Sequence, residues 1–305
     1  MTEPTTRCGY IALIGAPNAG KSTLLNRLVG AKISIVTPKV QTTRSRVLGI
    51  AVEGTPATGG AQFIFVDTPG IFEPKRRLDR AMVAAAWTGA EDADLVVLLV
   101  DAARGYDRET HAIVDRLKAA GRRVILVLNK VDLMRAEKLL PLTAKFAEEG
   151  IFDPVFMISS IKGSGVEDLQ RHLSKSLPEG PWLFPEDQLT DMPLRLLAAE
   201  ITREQVFLRL YQELPYASTV ETEAWEEFKD GSVKITQTIY VERQSQKAIV
   251  LGDQGQQIKK IGAAARAEIE KFLERRAHLF LFVKVREEWM EDKERYEAIR
   301  LDYTE

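Results

Sequence analysis

The sequence predicts an α/β protein: a mostly parallel sheet with helices on both faces, followed by a smaller α+β domain. Two observations predict this. Up to about Ser176, short apolar segments alternate with longer helix-like ones, and beyond a proline-rich stretch the order of the segments changes. Strands that alternate with helices form parallel sheets, whose right-handed crossovers bring the carboxyl ends of the strands to one rim. We expect a ligand at that rim.

The predicted strands of the first part are the apolar residues 10–14, 62–66, 95–100, 124–128 and 155–158. Residues 177–185 then contain three prolines and a glycine, too many for a helix or a central strand. We therefore predict a first domain over 1–177, a linker over 178–192 and a second domain over 193–305. In the second domain we expect a helix at 193–212, strands at 219–228 and 233–243, a helix-turn-helix unit around Gly252 and a last strand at 277–285.

Composition limits the possible functions. The 305 residues carry a formal net charge of −2, so contact with a polyanion requires a local basic face. One cysteine, Cys8, and three scattered histidines predict neither a disulfide nor a transition-metal site. Because no targeting pattern is visible and no apolar run approaches the roughly 18 residues that span a bilayer, we expect a cytoplasmic protein without a transmembrane segment.

The segment after the first strand has the pattern of a phosphate-binding loop, G-x-x-x-x-G-K-[ST], and leads into helix-like residues 23–29. Glycines let backbone N–H groups turn toward phosphate oxygens, and a helix start favours anions. We predict that Lys21 neutralises the β- and γ-phosphates and that Ser22 ligates magnesium. A tight turn that merely needs glycine is the alternative. The candidate nucleotide contacts are Gly15, Ala16, Pro17, Asn18, Ala19, Gly20, Lys21, Ser22 and Thr23.

A second signal, Asp67-Thr68-Pro69-Gly70, ends the strand at 62–66. Asp67 is predicted to hold magnesium through water, and the Gly70 amide to sense the γ-phosphate. An isolated aspartate at a strand end is usually a helix cap or turn former. Beside a phosphate loop, the metal role is the better interpretation, and all four residues are candidate nucleotide contacts.

A third signal, Asn129-Lys130-Val131-Asp132, follows the strand at 124–128. The Asp132 carboxylate can accept two hydrogen bonds from the N1–H and 2-amino edge of guanine, which adenine does not offer, so we predict GTP and GDP as ligands. The loop 159–163 is predicted to contact the base oxygen through its backbone, although alone it would be an ordinary loop. The candidates here are Asn129, Lys130, Asp132, Ser159, Ser160 and Ile161.

In this order, the three signals resemble the translation-factor-like class of small GTPases. The resemblance implies a first switch at 39–46, where we choose Thr43 over Thr42 as magnesium ligand beside Ser22 and Asp67, and a second switch from Gly70 to about Arg80. It assigns catalytic roles to Lys21, Asn18, Thr43 and Gly70.

The chain departs from Ras-like enzymes after Gly70. Those enzymes have a water-orienting glutamine where this chain has Ile71, so we expect slow intrinsic hydrolysis. Related GTPases with an asparagine at Asn18 place a potassium ion against the phosphates. A hydrogen bond that only stabilises the loop is the alternative role of Asn18.

The second domain divides by charge. Residues 246–286 contain nine Lys/Arg and four Asp/Glu, whereas 187–245 contain six basic and eleven acidic residues, as expected if one face approaches a polyanion.

A G-x-x-G loop, Gly252-Asp253-Gln254-Gly255, lies between two short helices of this domain. Together with the element order helix, strand, strand, helix, helix, strand, it resembles the second topological type of KH domain, which binds single-stranded RNA. A helical hairpin with a solvated basic face is the alternative. Asp253 stands where such loops usually carry a basic residue. The candidate RNA contacts are Gly252, Gly255, Gln256, Lys259, Lys260 and Arg266.

A GTPase with this linker and a terminal KH domain resembles the Era family of bacterial GTPases, from about Gly9 onward. The resemblance implies that the partners are the 3′ end of the small-subunit ribosomal RNA and the small ribosomal subunit, whose maturation the family assists. It also implies that GTP and magnesium order the switches and bias the position of the KH domain. We expect a monomer. A peripheral contact with the cell membrane is also attached to the family, but no amphipathic basic helix compels it.

Two other functions remain open: a GTPase whose second domain binds protein, and an RNA chaperone with little turnover. Salt-dependent binding of single-stranded RNA that requires Gly252 and Gly255 would exclude the first. The intact Lys21, Ser22, Asp67 and Asp132 argue against the second.

Overall fold

The structure is a computed structural model that describes residues 5–39, 42–44, 46–211, 214–287 and 301. The chain divides into two compact units. The first contains the described residues of Met1–Ser34 and Thr43–Asp191 together with Leu301, and the second contains those of Ile35–Thr42 and Met192–Arg295. Most of the predicted linker thus groups with the first unit, and part of the predicted first switch groups with the second.

Over the part of the chain that the structure describes, the first unit has a six-stranded sheet and five α-helices, in the order β1 (Arg7–Ile14), α1 (Lys21–Val29), β2 (Val47–Thr55), β3 (Gly59–Asp67), α2 (Arg77–Glu91), β4 (Leu95–Asp101), α3 (Arg108–Ala119), β5 (Val124–Asn129), α4 (Leu139–Ala147), β6 (Phe152–Met157) and α5 (Val166–Ser176). The strand order is β2-β3-β1-β4-β5-β6. Only β2 is antiparallel to its neighbour, β3, and all the other pairs are parallel. The five predicted strands are present; β2 was not predicted.

Both faces of this sheet are buried. On β1, Ala12 and Ile14 belong to an apolar cluster with residues of α2 and α3. The alternate residues Ile11 and Leu13 are as deeply buried, and α1 and α5 pack on the neighbouring strand β3. The predicted α/β class with helices on both faces is confirmed.

The proline-rich segment crosses the edge of the first unit and is tied to it. The buried Gln62 of β3 accepts hydrogen bonds from the N–H groups of Leu183 (2.8 Å) and Phe184 (3.0 Å) and donates to the Phe184 carbonyl at 2.7 Å. Farther along, the Ile50 N–H donates to the Leu189 carbonyl at 2.8 Å. This segment therefore covers part of the free edge of β2, which limits strand pairing with other chains.

The second unit contains α6 (Leu194–Arg209), β7 (Ser218–Glu227), β8 (Val233–Val241), α7 (Gln244–Leu251), α8 (Gln256–Leu273) and β9 (Ala277–Val285). The sheet order is β7-β8-β9, with β7 antiparallel and β9 parallel to β8. Helix α6 ends at Arg209, earlier than the predicted end at Gln212, because Leu210 already has an extended backbone. The predicted α+β order of elements is otherwise confirmed.

Polar residues of α6 hold the segment Ile35–Thr42 inside this unit. Arg203 is 1% exposed, forms an ion pair with Glu200 and donates from Nη2 to the Thr42 carbonyl at 2.6 Å. The Val36 N–H donates to Glu204 Oε1 at 2.9 Å. Within the predicted first switch, Val40, Gln41 and Ser45 lie outside the described residues.

No helix among the described residues has the length and apolar character needed to cross a lipid bilayer.

Candidate functional site

The phosphate-loop candidate connects β1 to α1, and its glycines are required by close contacts. A Cβ on Gly15 (φ +149°) would lie 2.3 Å from the Leu99 carbonyl oxygen, and one on Gly20 (φ +100°) would lie 2.2 Å from Asn129 Nδ2. Asn18 has a φ of 63°, a conformation that asparagine tolerates better than most residues. The loop therefore holds its backbone tightly against the neighbouring strand ends.

Lys21 is the first residue of α1 and is buried, 6% exposed. Its Nζ donates to the carbonyls of Gly15 at 3.0 Å and Ala16 at 3.1 Å. Burial lowers the pKa of Lys21 to about 8, and the charge of Asp67 acts in the opposite direction. An anion in the loop would offer this ammonium a stronger partner than two carbonyls.

Ser22, Thr43 and Asp67 converge beside the loop. Ser22 Oγ donates to Asp67 Oδ2 at 2.7 Å and lies 2.9 Å from Thr43 Oγ1. Thr42 instead has its hydroxyl 2.8 Å from that of Thr37. The geometry thus brings Thr43, and not Thr42, to the other two candidate metal ligands.

The Asp67 carboxylate is fully buried, and its Oδ1 has no hydrogen-bond partner among the described residues. Burial raises its pKa, while the hydrogen bond from Ser22 and the charge of Lys21 lower it. A buried carboxylate with one unused oxygen, beside the hydroxyls of Ser22 and Thr43, fits a small hard cation that takes oxygen ligands and keeps part of its water shell, as magnesium does.

The segment after Asp67 closes over the phosphate loop. Thr68 donates to the Leu13 carbonyl at 2.9 Å, and a Cβ on Gly70 would lie 2.9 Å from the backbone nitrogen of Pro17. The Ile71 N–H donates to the Gly15 carbonyl at 3.0 Å. Ile71 is 7% exposed and belongs to the apolar cluster of α2 and α3, so its side chain is a core residue.

Asn129 joins two loops at the carboxyl end of β5. Its Nδ2 donates to the Ala19 carbonyl at 2.8 Å, and its Oδ1 accepts from the N–H of Ser160 at 3.0 Å and from its hydroxyl at 2.9 Å. Lys130, with a φ of 64°, pairs with Asp101 at 2.7 Å. Asp101 ends β4 and was not among the predicted site residues, although its place at a strand end could have suggested it.

Asp132 is partly exposed beside the 159–163 loop. A hydrogen bond from Ser159 and the charge of Lys162 hold its pKa below the usual range, so it is an ionised acceptor at neutral pH. Arg27 of α1, which was not among the predicted site residues, donates to the carbonyls of Ser160 and Ile161. Arg27 therefore anchors the loop predicted to contact the base.

In the second unit, the candidate RNA loop joins α7 to α8. Gly252 has φ +70°, and a Cβ there would lie 2.6 Å from the Cβ of Gln257. Gly255 has φ +75° and caps α8, and Gln254 between them also has a positive φ of 47°. Side chains larger than hydrogen at the two glycines would strain or block this turn. Asp253 is exposed and faces solvent.

Helix α8 presents the predicted basic side chains to solvent. Lys259, Lys260 and Arg266 are exposed, as is Gln256. Among the described residues no carboxylate lies within ion-pair distance of these three cations. Arg275 and Lys284, in contrast, pair with Glu227 at 2.9 Å and Glu223 at 3.2 Å. The charge of α8 is thus available to a polyanion.

Two sequence families match the chain. Residues 10–130 match the family described as 50S ribosome-binding GTPase, and residues 213–290 match the KH domain. The first match lies in the first unit apart from the segment Ile35–Thr42, which groups with the second unit, and the second match lies in the second unit.

Curated relatives match over nearly the whole chain. The protein named GTPase Era from Brucella suis biovar 1 (strain 1330) is 59% identical over 303 residues, which is 99% of this chain and 96% of the relative. The GTPase Era of Rhizobium meliloti (strain 1021) is 60% identical over 298 residues, 98% of this chain and 94% of the relative.

Solved structures of similar proteins also match over nearly the whole chain. A variant of Aquifex aeolicus Era bound to GDP·AlF4⁻ has a TM-score of 0.91 and 39% identity, covering 96% of this chain and 99% of that one. Era in complex with MgGDPNP and nucleotides 1506–1542 of 16S ribosomal RNA has a TM-score of 0.90 and 40% identity, covering 96% of this chain and 98% of that one.

Proposed function

The chain belongs to the Era family of GTPases, and we propose that it binds and hydrolyses GTP in the first unit and binds single-stranded ribosomal RNA through the KH domain. Its role would be in maturation of the small ribosomal subunit. The observation that carries the nucleotide part is the convergence of Ser22, Thr43 and Asp67 beside the buried ammonium of Lys21. These groups lie at the carboxyl ends of β1 and β3, where ligands bind in open sheets.

In the proposed complex, Lys21 exchanges its two carbonyl partners for phosphate oxygens, and the N–H groups at the start of α1 face the same anion. Ser22 and Thr43 would hold magnesium directly, and Asp67 would hold it through water. The bound ion supplies neutralisation of the charge between the β- and γ-phosphates. The Asp132 carboxylate, ionised and partly exposed, would select guanine through its N1–H and 2-amino group.

Hydrolysis without a water-orienting glutamine should be slow, because the Ile71 side chain is part of the apolar cluster of α2 and α3. We propose that charge in the transition state is stabilised in part by a potassium ion held at Asn18, where the loop backbone has a left-handed φ. Faster GTP turnover in potassium than in sodium chloride would support this role, and equal rates would leave Asn18 as a residue that stabilises the loop.

The RNA part of the proposal rests on the loop from Gly252 to Gly255 and the exposed cations of α8. A relative in this family was solved with nucleotides 1506–1542 of 16S ribosomal RNA, and we propose the corresponding 3′ segment as the ligand of this chain. Lys259, Lys260 and Arg266 would contact phosphates and offset the repulsion from Asp253.

The direct test measures two properties of the full chain. Hydrolysis of GTP should require magnesium, and ATP should not be hydrolysed. Binding of a single-stranded copy of the 3′ segment should weaken with salt, and K259A/K260A should reduce the slope of log affinity against log salt by about 0.7 for each lost phosphate contact. Salt-independent RNA binding would favour a second domain that binds protein. RNA binding without turnover would favour an RNA chaperone.

We also propose that the nucleotide state biases the position of the KH domain. The segment Ile35–Thr42 groups with the second unit, while its flanking residues Ser34 and Thr43 contact the candidate magnesium site. We place the protein in the cytoplasm, where ribosomal subunits assemble, and expect a monomer. We do not propose a peripheral membrane contact, because no observation on the described residues supports one.

A further inference from the structure

The hydroxyl of Ser34 is a second hydrogen-bond donor to the carboxylate of Asp67, besides that of Ser22. Its Oγ donates to Asp67 Oδ2 at 2.8 Å, alongside Ser22 Oγ at 2.7 Å. Both Ser34 and Asp67 are buried, at 3% and 0% exposure. Two donors on one oxygen fix the rotation of the carboxylate, and the other oxygen, Oδ1, is without a partner among the described residues.

Asn26 of α1 holds Ser34 in place. Asn26 Nδ2 donates to the Ser34 carbonyl at 2.7 Å, and its Oδ1 accepts from the Ser34 N–H at 2.9 Å and from the Ile33 N–H at 3.0 Å. One amide thus satisfies both backbone groups of Ser34, which lies in a loop without regular secondary structure.

The neighbouring residue, Ile33, anchors the segment around Ser34 through apolar packing. Ile33 is 1% exposed, and its Cδ1 lies 2.7 Å from the position that a Cβ on Gly49 would occupy. The hydroxyl of Ser34 is therefore positioned by a buried isoleucine and by a hydrogen-bonded amide, neither of which belongs to the nucleotide-binding motifs.

We propose that Ser34, held by Asn26, is a positioning residue that orients Asp67 for magnesium. This inference rests on the proposed function. Without Ser34, the remaining hydroxyl contacts of the Asp67 carboxylate come from Ser22 and Thr43, and both of these are themselves proposed ligands of the metal. Loss of an outer hydrogen-bond partner of a metal ligand typically weakens metal affinity by about 10–100-fold.

A purely structural serine would behave differently. If Ser34 only satisfied a buried carboxylate, its removal would lower thermal stability and leave the magnesium requirement unchanged. The two roles are separated by titrating magnesium chloride into full-length protein with a fluorescent GDP analogue, and by measuring binding of the same analogue in EDTA.

We expect S34A to raise the magnesium concentration that has a half-maximal effect on binding of the GDP analogue about tenfold or more. The affinity for the analogue in EDTA should stay close to that of the wild type. S34T, which keeps the hydroxyl, should restore the wild-type requirement. The matched control is S232A, because Ser232 is a buried serine, 4% exposed, that donates to Asp230 at 2.7 Å outside the site. It should leave the titration unchanged.

An unchanged magnesium requirement in a folded S34A would overturn the inference. Should S34A fail to fold, the nearly isosteric S34C, a weaker donor, replaces it with the same expected direction, and an unchanged requirement there would count equally against the inference. If magnesium affects neither GDP binding nor GTP turnover of the wild type, the proposed function fails instead.

Discussion

Asn129 Nδ2 lies 2.8 Å from the carbonyl oxygen of Ala19. This hydrogen bond links the end of β5 to the phosphate loop, and the other side of the same amide holds Ser160. One buried side chain therefore fixes the distance between the groups proposed for the phosphates and those proposed for the base.

We expect N129A to weaken GDP binding at least about tenfold, because it leaves buried partners on two loops unsatisfied, at about 1–3 kcal/mol each. Titration with a fluorescent GDP analogue measures this. Q237A is the control: Gln237 is a buried amide of the second unit that accepts from Thr202 at 2.6 Å, and its loss should lower stability without changing GDP affinity. Equal GDP affinity of N129A and the wild type would contradict the role given to Asn129.

Replacing Ile71 by glutamine should not accelerate hydrolysis. The Ile71 side chain is 7% exposed within the apolar cluster of α2 and α3, so I71Q buries an amide there at a cost of about 1–3 kcal/mol. We expect a lower melting temperature and no gain in the rate of single-turnover GTP hydrolysis. I71L serves as the apolar control, and a faster I71Q would show that this side chain can reach the nucleotide.

The glycines of the α7–α8 loop should be required for RNA binding. Alanine at Gly255, and more so at Gly252 with its 2.6 Å contact to Gln257, introduces strain of about 1–3 kcal/mol at each of these positions with a positive φ. We expect the double variant to lose at least about tenfold in RNA affinity, measured by fluorescence anisotropy.

G231A is the matched control for the loop. Gly231 also has a left-handed φ, +81°, with open space around its Cβ position, but it lies in the β7–β8 turn. RNA affinity that falls equally in G231A would point to general destabilisation of the second unit.

Because of Glu149, the free energy of unfolding should depend on pH in the acidic range. Lys118 donates to Glu149 Oε2 at 2.8 Å and Tyr106 donates to Oε1 at 2.7 Å, and these bonds, Lys118 first, lower the pKa of Glu149 from its ordinary 4.5. Because the folded pKa is lowered, the stabilisation is complete above the ordinary pKa and is lost as pH falls through the lowered value.

Urea unfolding of the wild type and E149Q should therefore differ at pH 7 and converge in acid. E148Q, at the exposed neighbouring carboxylate, should match the wild type throughout. A difference between wild type and E149Q that persists below the lowered pKa would show that the glutamine perturbs packing and that the charge is not the cause.

The parts of the fold that were predicted from sequence are those with local signals. Apolar segments bounded by turn residues identified β1, β3, β4, β5 and β6, and the same signals ordered the second unit. The segment of β2 was missed because Gly49 interrupts its apolar run. That glycine is needed because Leu25 and Ile33 pack directly over it.

The remaining site residues depend on tertiary contacts that no local pattern encodes. Arg27 reaches Ser160, which is 133 residues away, and Lys130 reaches Asp101 at the end of the neighbouring strand. The choice between Thr42 and Thr43 is likewise decided by contacts: Thr43 meets Ser22, whereas Thr42 bonds within its own loop. Their roles with a bound nucleotide stay predictions.

Coupling between the two units can be measured as GTP turnover by the full chain in magnesium and potassium, with and without single-stranded RNA that copies the 3′ end of the small-subunit ribosomal RNA. We expect slow basal turnover that the RNA accelerates, with the acceleration lost in the Gly252 and Gly255 double variant. Normal GTP turnover that is indifferent to bound RNA would contradict the claim that the two units form one coupled switch.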